Sequence, residues 1–235
     1  MLRGRVSRIM SEELTRSTAA SETDTRIYPL LQMGVCGIEQ EETVLRRAFR
    51  AARLSTARMH LASGYFNLTD DYSNALIGQA DYDLSILCAS PQANGFFDGK
   101  GFSYYVPAFY SWAARRFLVG VQQCEGAERR VRLLEYARAG WTFHAKGLWW
   151  TPPDQHLPTA TFVGSSNFGY RSLSRDLEAQ LVIVTSHPGL RKELLSEQQR
   201  LFGSGTQVAA ATFNAPDHHV PIWVRLCYRL IRHFF

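Results

Sequence analysis

The chain has 235 residues, 46% of them apolar and 20% charged, the balance of a folded globular protein and not of a disordered one. No apolar run approaches the roughly 20 residues of a membrane-spanning helix, so any membrane contact is expected to be peripheral. The net charge of +5 favours anionic partners: phosphates, anionic lipid or nucleic acid.

Residues 1–26 are polar and rich in Ser, Thr and Glu, and read as a flexible arm. Its arginines (Arg3, Arg5, Arg8, Arg16) suggest an organelle presequence, but Glu12 and Glu13 come too early for a good one, and a start inside a longer gene product is the preferred reading. From residue 27 to 235 a single domain is expected. An apolar stretch at Ile27–Met33 precedes a helical pattern over Glu41–Leu54, a strand at Met59–Phe66, a helix at Asp70–Gln79 and a buried strand at Leu84–Ala89. Pro91 to Gly101 is a loop by its turn-forming residues, and Pro107 suits the first turn of a helix running to Gln123. Val131–Tyr136 reads as a strand or a helix end, Trp141–Trp150 as an alternating strand, Ala160–Val163 and Leu177–Val184 as further strands, and Gly189–Phe202 as a helix. This alternation predicts an α/β chain, an α+β sandwich with helices covering a sheet. The four cysteines, Cys36, Cys88, Cys124 and Cys227, are widely spaced with no CxxC pair. That argues against a structural zinc site or a disulfide framework and fits a reducing, matrix-like compartment.

The informative stretch is Thr142-Phe143-His144-Ala145-Lys146-Gly147, then Phe162-Val163-Gly164-Ser165-Ser166-Asn167, then Arg175-Asp176-Leu177-Glu178. In a strand, His144 and Lys146 project from one face, which sets an imidazole beside an ammonium able to hold a phosphate oxygen. Lysine occurs only at Lys100, Lys146 and Lys192, so its presence in this motif carries weight. Gly164 permits a tight turn, and Ser165 and Asn167 offer short donors to further phosphate oxygens. Glu178 is the candidate carboxylate to fix the tautomer of the imidazole, with Asp176 in reserve. Taken singly, each element is commonplace: a lone HxK, a turn, a solvated strand end. In this order over about 35 residues they point to phosphoryl-transfer chemistry.

HxK followed by GSxN and a later acidic residue resembles the half-site motif of the phospholipase D superfamily. The surrounding words, Ser63-Gly64-Tyr65-Phe66-Asn67-Leu68-Thr69, Ala89-Ser90-Pro91, Asn94-Gly95-Phe96-Phe97 and Asn167-Phe168-Gly169-Tyr170-Arg171-Ser172, are similar to the mitochondrial phosphatidylglycerophosphate synthases, specifically their C-terminal part. The resemblance runs from about Ile27 to Phe235. It implies a phospholipase D-like domain, a mixed sheet flanked by helices. The implied reaction moves a phosphatidyl group from CDP-diacylglycerol to glycerol 3-phosphate, releasing CMP through a phosphohistidine, in phosphatidylglycerol and cardiolipin synthesis. It also implies a mitochondrial location, on the matrix side and peripheral to the inner membrane. His144 would be the acid/base, with Lys146, Ser165 and Asn167 on the phosphoryl oxygens and Glu178 behind them. Arg171 and Arg175 would bind the phosphate of the acceptor. No metal or other cofactor is needed by this scheme, and no P-loop pattern supports ATP use.

Two features depart from the family pattern. Its HxKxxxxD spacing would place an aspartate at position 151, where this chain has Thr151, with Asp154 displaced nearby. The enzymes of the family also carry two half-sites, and only one HxK is present here. The partner half-site would come from a preceding segment or from a second copy in a homodimer. Two alternatives therefore stand beside the transferase: a catalytically incomplete lipid-binding fragment, and a phospholipase D-type phosphodiesterase or nuclease. The scattered arginines give little support to nucleic acid as partner. The segment 219–235 reads as a basic amphipathic terminal helix. Arg225, Arg229 and Arg232 fall on one side and Trp223, Leu226, Leu230 and Phe234 on the other, fit either for an anionic lipid surface or for docking on the core.

Overall fold

The computed structural model describes residues 23–52, 56–78 and 81–235. The expected arm lies outside these except for its last four residues, of which Thr25 and Arg26 already belong to the first strand. In chain order the elements are β1 (Thr25–Met33), β2 (Ile38–Glu39), α1 (Gln40–Ala52), β3 (Arg58–Ser63), α2 (Asp70–Ile77), β4 (Asp83–Ala89), α3 (Val106–Gln123), α4 (Ala127–Arg130) and β5 (Val131–Tyr136). They continue with β6 (Lys146–Thr151), β7 (Ala160–Gly164), α5 (Tyr170–Ser174), β8 (Glu178–Thr185), α6 (Pro188–Phe202), β9 (Gly205–Gln207) and α7 (Ile222–Ile231). The strands form one mixed sheet in the order β2-β1-β8-β7-β6-β3-β4-β5-β9, with β3, β4 and β5 parallel and the remaining pairs antiparallel.

Period-two alternation builds a core on each face of this sheet. Met59 and Leu61 of β3, Leu84 and Ile86 of β4 and Leu148 of β6 face α1, α2 and α3, where Leu45, Phe49, Tyr72, Leu76 and Phe117 complete the larger cluster. On the opposite face Ala62, Leu87, Trp149 and Tyr136 pack under α6 through Leu194. Local signals start the helices. Thr69 caps α2 by accepting from the Tyr72 N–H at 3.2 Å, and His187 Nδ1 accepts from Leu190 N–H at 3.1 Å ahead of Pro188 in α6. The face under α6 is covered only in part: Ile27 of β1, Val163 of β7 and Leu181 of β8 remain 57%, 44% and 41% exposed.

The topology decides where a site can form. β6 runs antiparallel to both β3 and β7, and β8 antiparallel to β7, so the ends of β3 and β7 meet the starts of β6 and β8 at one end of the sheet. Ser63 is opposite Lys146, and Gly164 opposite Gln180.

One expectation is corrected. The strand expected over Trp141–Trp150 begins only at Lys146, because Gly140 turns at φ 76° and Phe143 N–H bonds to Ala93 O (2.8 Å) outside the ladder. The terminal helix buries Val224 and Tyr228 against Phe109 and Ala113 of α3 and leaves Leu226, Leu230 and Phe234 exposed.

Candidate active site

The end of the sheet where β3, β6, β7 and β8 converge carries a cavity of about 370 Å³. His144 arrives there through its neighbour: Phe143 is buried and stacks on Tyr136 at 4.8 Å between ring centroids, leaving the next side chain exposed at the cavity. Close passage of the chain depends on Gly64, where a Cβ would come within 2.9 Å of His144 Cα. The imidazole meets Tyr65 edge-on at 5.0 Å. Lys146 opens β6, donates from Nζ to His144 O at 3.1 Å, and stands 5.5 Å from the centroid of the Tyr65 ring. His144 and Lys146 do share the cavity, but the reason is a turn held by Phe143 and not a common strand.

Opposite them the turn after β7 is built around tight backbone contact. A Cβ at Gly164 would lie 2.3 Å from Ala179 O. Ser165 N–H donates to Ala179 O (3.1 Å), and Ala179 N–H donates back to Ser165 Oγ (3.2 Å). The Ser165 hydroxyl in turn donates to Glu178 Oε2. Asn167 accepts through its backbone oxygen from Ser63 Oγ (3.0 Å), and its N–H donates to Ser172 Oγ (3.1 Å). Its Oδ1 accepts from Tyr65 N–H (3.1 Å), which assigns the amide NH₂ as the group available to a ligand. Beneath this turn Ser166 donates to buried Glu41 at 2.6 Å, and Phe168, at φ 60°, drives its ring fully into the core.

The electrostatics follow from burial. Desolvation lowers the Lys146 ammonium to about 8, against the opposing pull of Glu178. Burial, then the charge of Lys146, brings His144 below its ordinary value. Burial raises the carboxyl of Glu41 to about 7; the Ser166 hydrogen bond opposes this, and the nearby Glu178 adds to it. A lysine that gives up its proton readily, an imidazole and an amide donor facing one cavity are groups that can hold a phosphoryl group, whose negative charge would keep the proton on Lys146.

Of the residues expected from sequence, His144, Lys146, Ser165, Asn167, Glu178, Arg171 and Asp176 all line the cavity. Glu178 is engaged with Ser165, not with the imidazole, so the expected carboxylate–histidine pair is not formed. Asp176 pairs instead with Arg171 at 3.0 Å. Arg175 lies outside the lining, its guanidinium 3.9 Å from the centroid of the Phe234 ring. Thr151 is buried at the end of β6, and Asp154 sits at φ 57° in the turn beyond it; neither reaches the cavity. Sequence reasoning assigned no role to Tyr65, Tyr110 and Phe235, which supply the aromatic wall. Tyr65 carries one signal, its place after Gly64 in the stretch Ser63–Thr69; the other two are set by tertiary packing alone.

The fold is shared with solved structures. The chain superposes on phosphatidylserine synthase of Haemophilus influenzae with a TM-score of 0.72 and 18% identity, over 90% of this chain and 48% of that one. Nuc of Salmonella typhimurium, described as a phospholipase D family member, aligns with a TM-score of 0.50 and 13% identity over 79% of this chain and 99% of its own. The architecture is therefore that of the phospholipase D-like proteins. No family model matches the chain. In sequence it is a relative of the mitochondrial CDP-diacylglycerol–glycerol-3-phosphate 3-phosphatidyltransferases. It is 45% identical to that of Gallus gallus over 215 residues (91% of this chain, 38% of that protein) and 43% identical to that of Homo sapiens over 229 residues (94% and 40%). The Saccharomyces cerevisiae enzyme is 29% identical over 231 residues (91% and 44%). The chain thus spans about two fifths of the length of the curated relatives it matches.

Proposed function

We propose that this chain provides one half-site of a phosphatidyltransferase that moves a phosphatidyl group from CDP-diacylglycerol to glycerol 3-phosphate. The observation that carries the reading is the gathering of His144, Lys146, Ser165, Asn167 and Glu178 round one cavity, in a chain 45% identical to enzymes of that name. In the reaction a partner histidine attacks the phosphorus bearing the diacylglycerol. The bond to the bridging oxygen breaks, a P–N bond forms, and His144 delivers a proton to the departing CMP. The glycerol 3-phosphate hydroxyl then gives its proton to His144 as its oxygen displaces the partner histidine. The lowered pKa of His144 makes the protonated ring a readier acid toward CMP in the first step and leaves it neutral for the second. Lys146 and the Asn167 amide would hold the equatorial oxygens, and Glu178, through Ser165, would fix the turn that presents Asn167. Arg171, which lines the cavity paired with Asp176, would meet the phosphate of the acceptor. The names of the relatives support a mitochondrial site of action.

The second reading, that the chain alone is incomplete, rests on one fact. Of seven histidines only His144 lines the cavity. Buried His218 is taken up by Glu135 and Asp217, at 2.8 Å each, and His60 lies against Phe202 with its pKa drawn down to about 4 by burial and by Arg132 and Arg58. An exposed apolar surface supports the docking of a second half-site. Ile27, Val163 and Leu181 form a bare apolar sheet face, and Lys146 borders both the cavity and the apolar groove alongside it. The experiment is CMP release from CDP-diacylglycerol, with and without glycerol 3-phosphate, by the chain and by His144→Ala. Turnover that needs both the acceptor and His144 is expected once the second half-site is present, as a second copy or as the remainder of the longer protein. Release that persists in His144→Ala would refute the assignment.

A further inference from the structure

The strongest feature outside the cavity is the outer side of α7. The helix has three longitudinal faces. Val224, Tyr228 and Ile231 pack inward on α3. Ile222, Leu226 and Leu230, four residues apart on one stripe, stand 72%, 76% and 77% exposed, and Phe234 continues them at 57%. Between these faces run Arg225 and Arg229, and no Asp or Glu occurs between His218 and Phe235. A soluble helix that has already buried one apolar face has no folding reason to carry a second.

The stripe does not end with the helix. The turn Gly101–Tyr105 brings Phe102 (59% exposed) to 6.3 Å from Trp223, while Trp223 lies edge-on to Tyr105 at 4.8 Å. Phe102 also reaches Phe235, at 6.2 Å between centroids, and Phe235 is one of the residues lining the cavity. An apolar and aromatic surface therefore runs without interruption from the outside of α7 to the mouth of the site, with arginine along one edge. Trp and Tyr at the margin of an aliphatic patch flanked by basic residues is the composition of a surface that enters the interface of an anionic bilayer.

Building on the proposed reaction, we infer that this surface seats the chain on an anionic lipid bilayer, so that the cavity mouth opens at the level of the phosphates. Leu226, Leu230, Phe102 and Phe234 enter the interface, and Arg229, whose side chain makes no hydrogen bond or ion pair among the described residues, meets lipid phosphates. A lipid substrate then reaches His144 past Phe235 without leaving the membrane. The charge of α7 argues for a bilayer over a second copy of the chain, since two such surfaces face to face would bring their arginines together.

The test is co-sedimentation with vesicles of phosphatidylcholine alone or mixed with phosphatidylglycerol, using the chain, the double variant Leu226→Glu/Leu230→Glu, Arg229→Glu, and His144→Ala. Both leucines are exposed, so circular dichroism and the melting temperature of the double variant should match those of the parent. The parent and His144→Ala are expected to bind the mixed vesicles equally. The double variant should bind about tenfold more weakly or worse, and Arg229→Glu should lose several-fold, on the mixed vesicles only. Unchanged sedimentation of the double variant, or a parent that stays in the supernatant, would overturn the inference. So would a double variant that turns a dimeric parent into a monomer, which would assign the surface to contact between copies. Because His144→Ala is expected to bind normally, a failed transferase reading leaves this result standing.

Discussion

The two walls of the cavity are held in place by different means. The wall made by the turn after β7 and the start of β8 is polar, and most of its backbone and hydroxyl groups are committed: Ser165 to Ala179 and Glu178, Ser166 to Glu41, Asn167 to Ser63, Tyr65 and Ser172. The facing wall is aromatic, with Tyr65, Tyr110 and Phe235 held by ring packing. Tyr65 stacks on Tyr110 at 5.3 Å, and Phe235 on Phe109 at 4.1 Å. His144, Ser165 and Asn167 sit in turns just beyond the strand ends, held by buried Phe143 and by hydrogen bonds, and only Lys146 and Glu178 belong to strands. The rings come from the segment after β3 (Tyr65), from α3 (Tyr110) and from the last residue of the chain (Phe235).

If that division is correct, damage to the polar wall should cost far more than damage to the aromatic rim. The largest effect is expected at Gly164. Its Cβ would sit 2.3 Å from Ala179 O and 2.7 Å from Gln180 Cα, both backbone, so Gly164→Ala must part β7 from β8. Urea unfolding should show a loss of about 3 kcal/mol, with an intact fold of lower midpoint. A loss under about 0.5 kcal/mol would mean that the polar wall is not rigid.

A pH-dependent effect, reaching a similar size only at high pH, is expected at Glu41, under the same wall. Its folded pKa of about 7 lies above the unfolded value, so the folded state binds the extra proton and stability falls as pH rises from about 4.5 to 7. The full difference is on the order of 3 kcal/mol. Glu41→Gln cannot ionise and keeps an acceptor for Ser166, so its stability relative to the parent should be larger at pH 8 than at pH 5. Parallel unfolding midpoints at the two pH values would show that Glu41 is not buried in the way described.

Much of the polar wall was legible in the sequence because its chemistry is written locally: His144 and Lys146 two apart, and Gly164-Ser165 and Asn167 in one turn. The error over Trp141–Trp150 was also local. Trp141, Phe143 and Ala145 alternate like a strand, yet Phe143 spends its apolar surface on Tyr136 across a turn, and Trp141 stays outside under Arg138 at 4.3 Å. Period alone cannot tell a ladder from a turn that buries every second residue. Glu178 lines the cavity but bonds to Ser165 and not to the imidazole, because which donor a carboxylate meets is decided by backbone register. The aromatic wall was hardly legible. Phe235 and Tyr110 are 125 positions apart, and nothing in an isolated tyrosine or terminal phenylalanine says that they will meet. For α7 the helix was evident, but its inward side was chosen by the fit of Val224 and Tyr228 against α3, which left the more apolar side exposed.

The central claim is that Lys146 and its neighbours grip a phosphoryl group of the substrate. Calorimetric titration with a short-chain, dispersible CDP-diacylglycerol, comparing the chain with Lys146→Met at matched melting temperature, tests it without requiring turnover. A loss of about tenfold or more in affinity for Lys146→Met is the predicted result, since a charge-assisted contact to phosphate is removed. Equal affinity of the two would contradict it, because the cavity would then hold the ligand, if at all, without its only lysine.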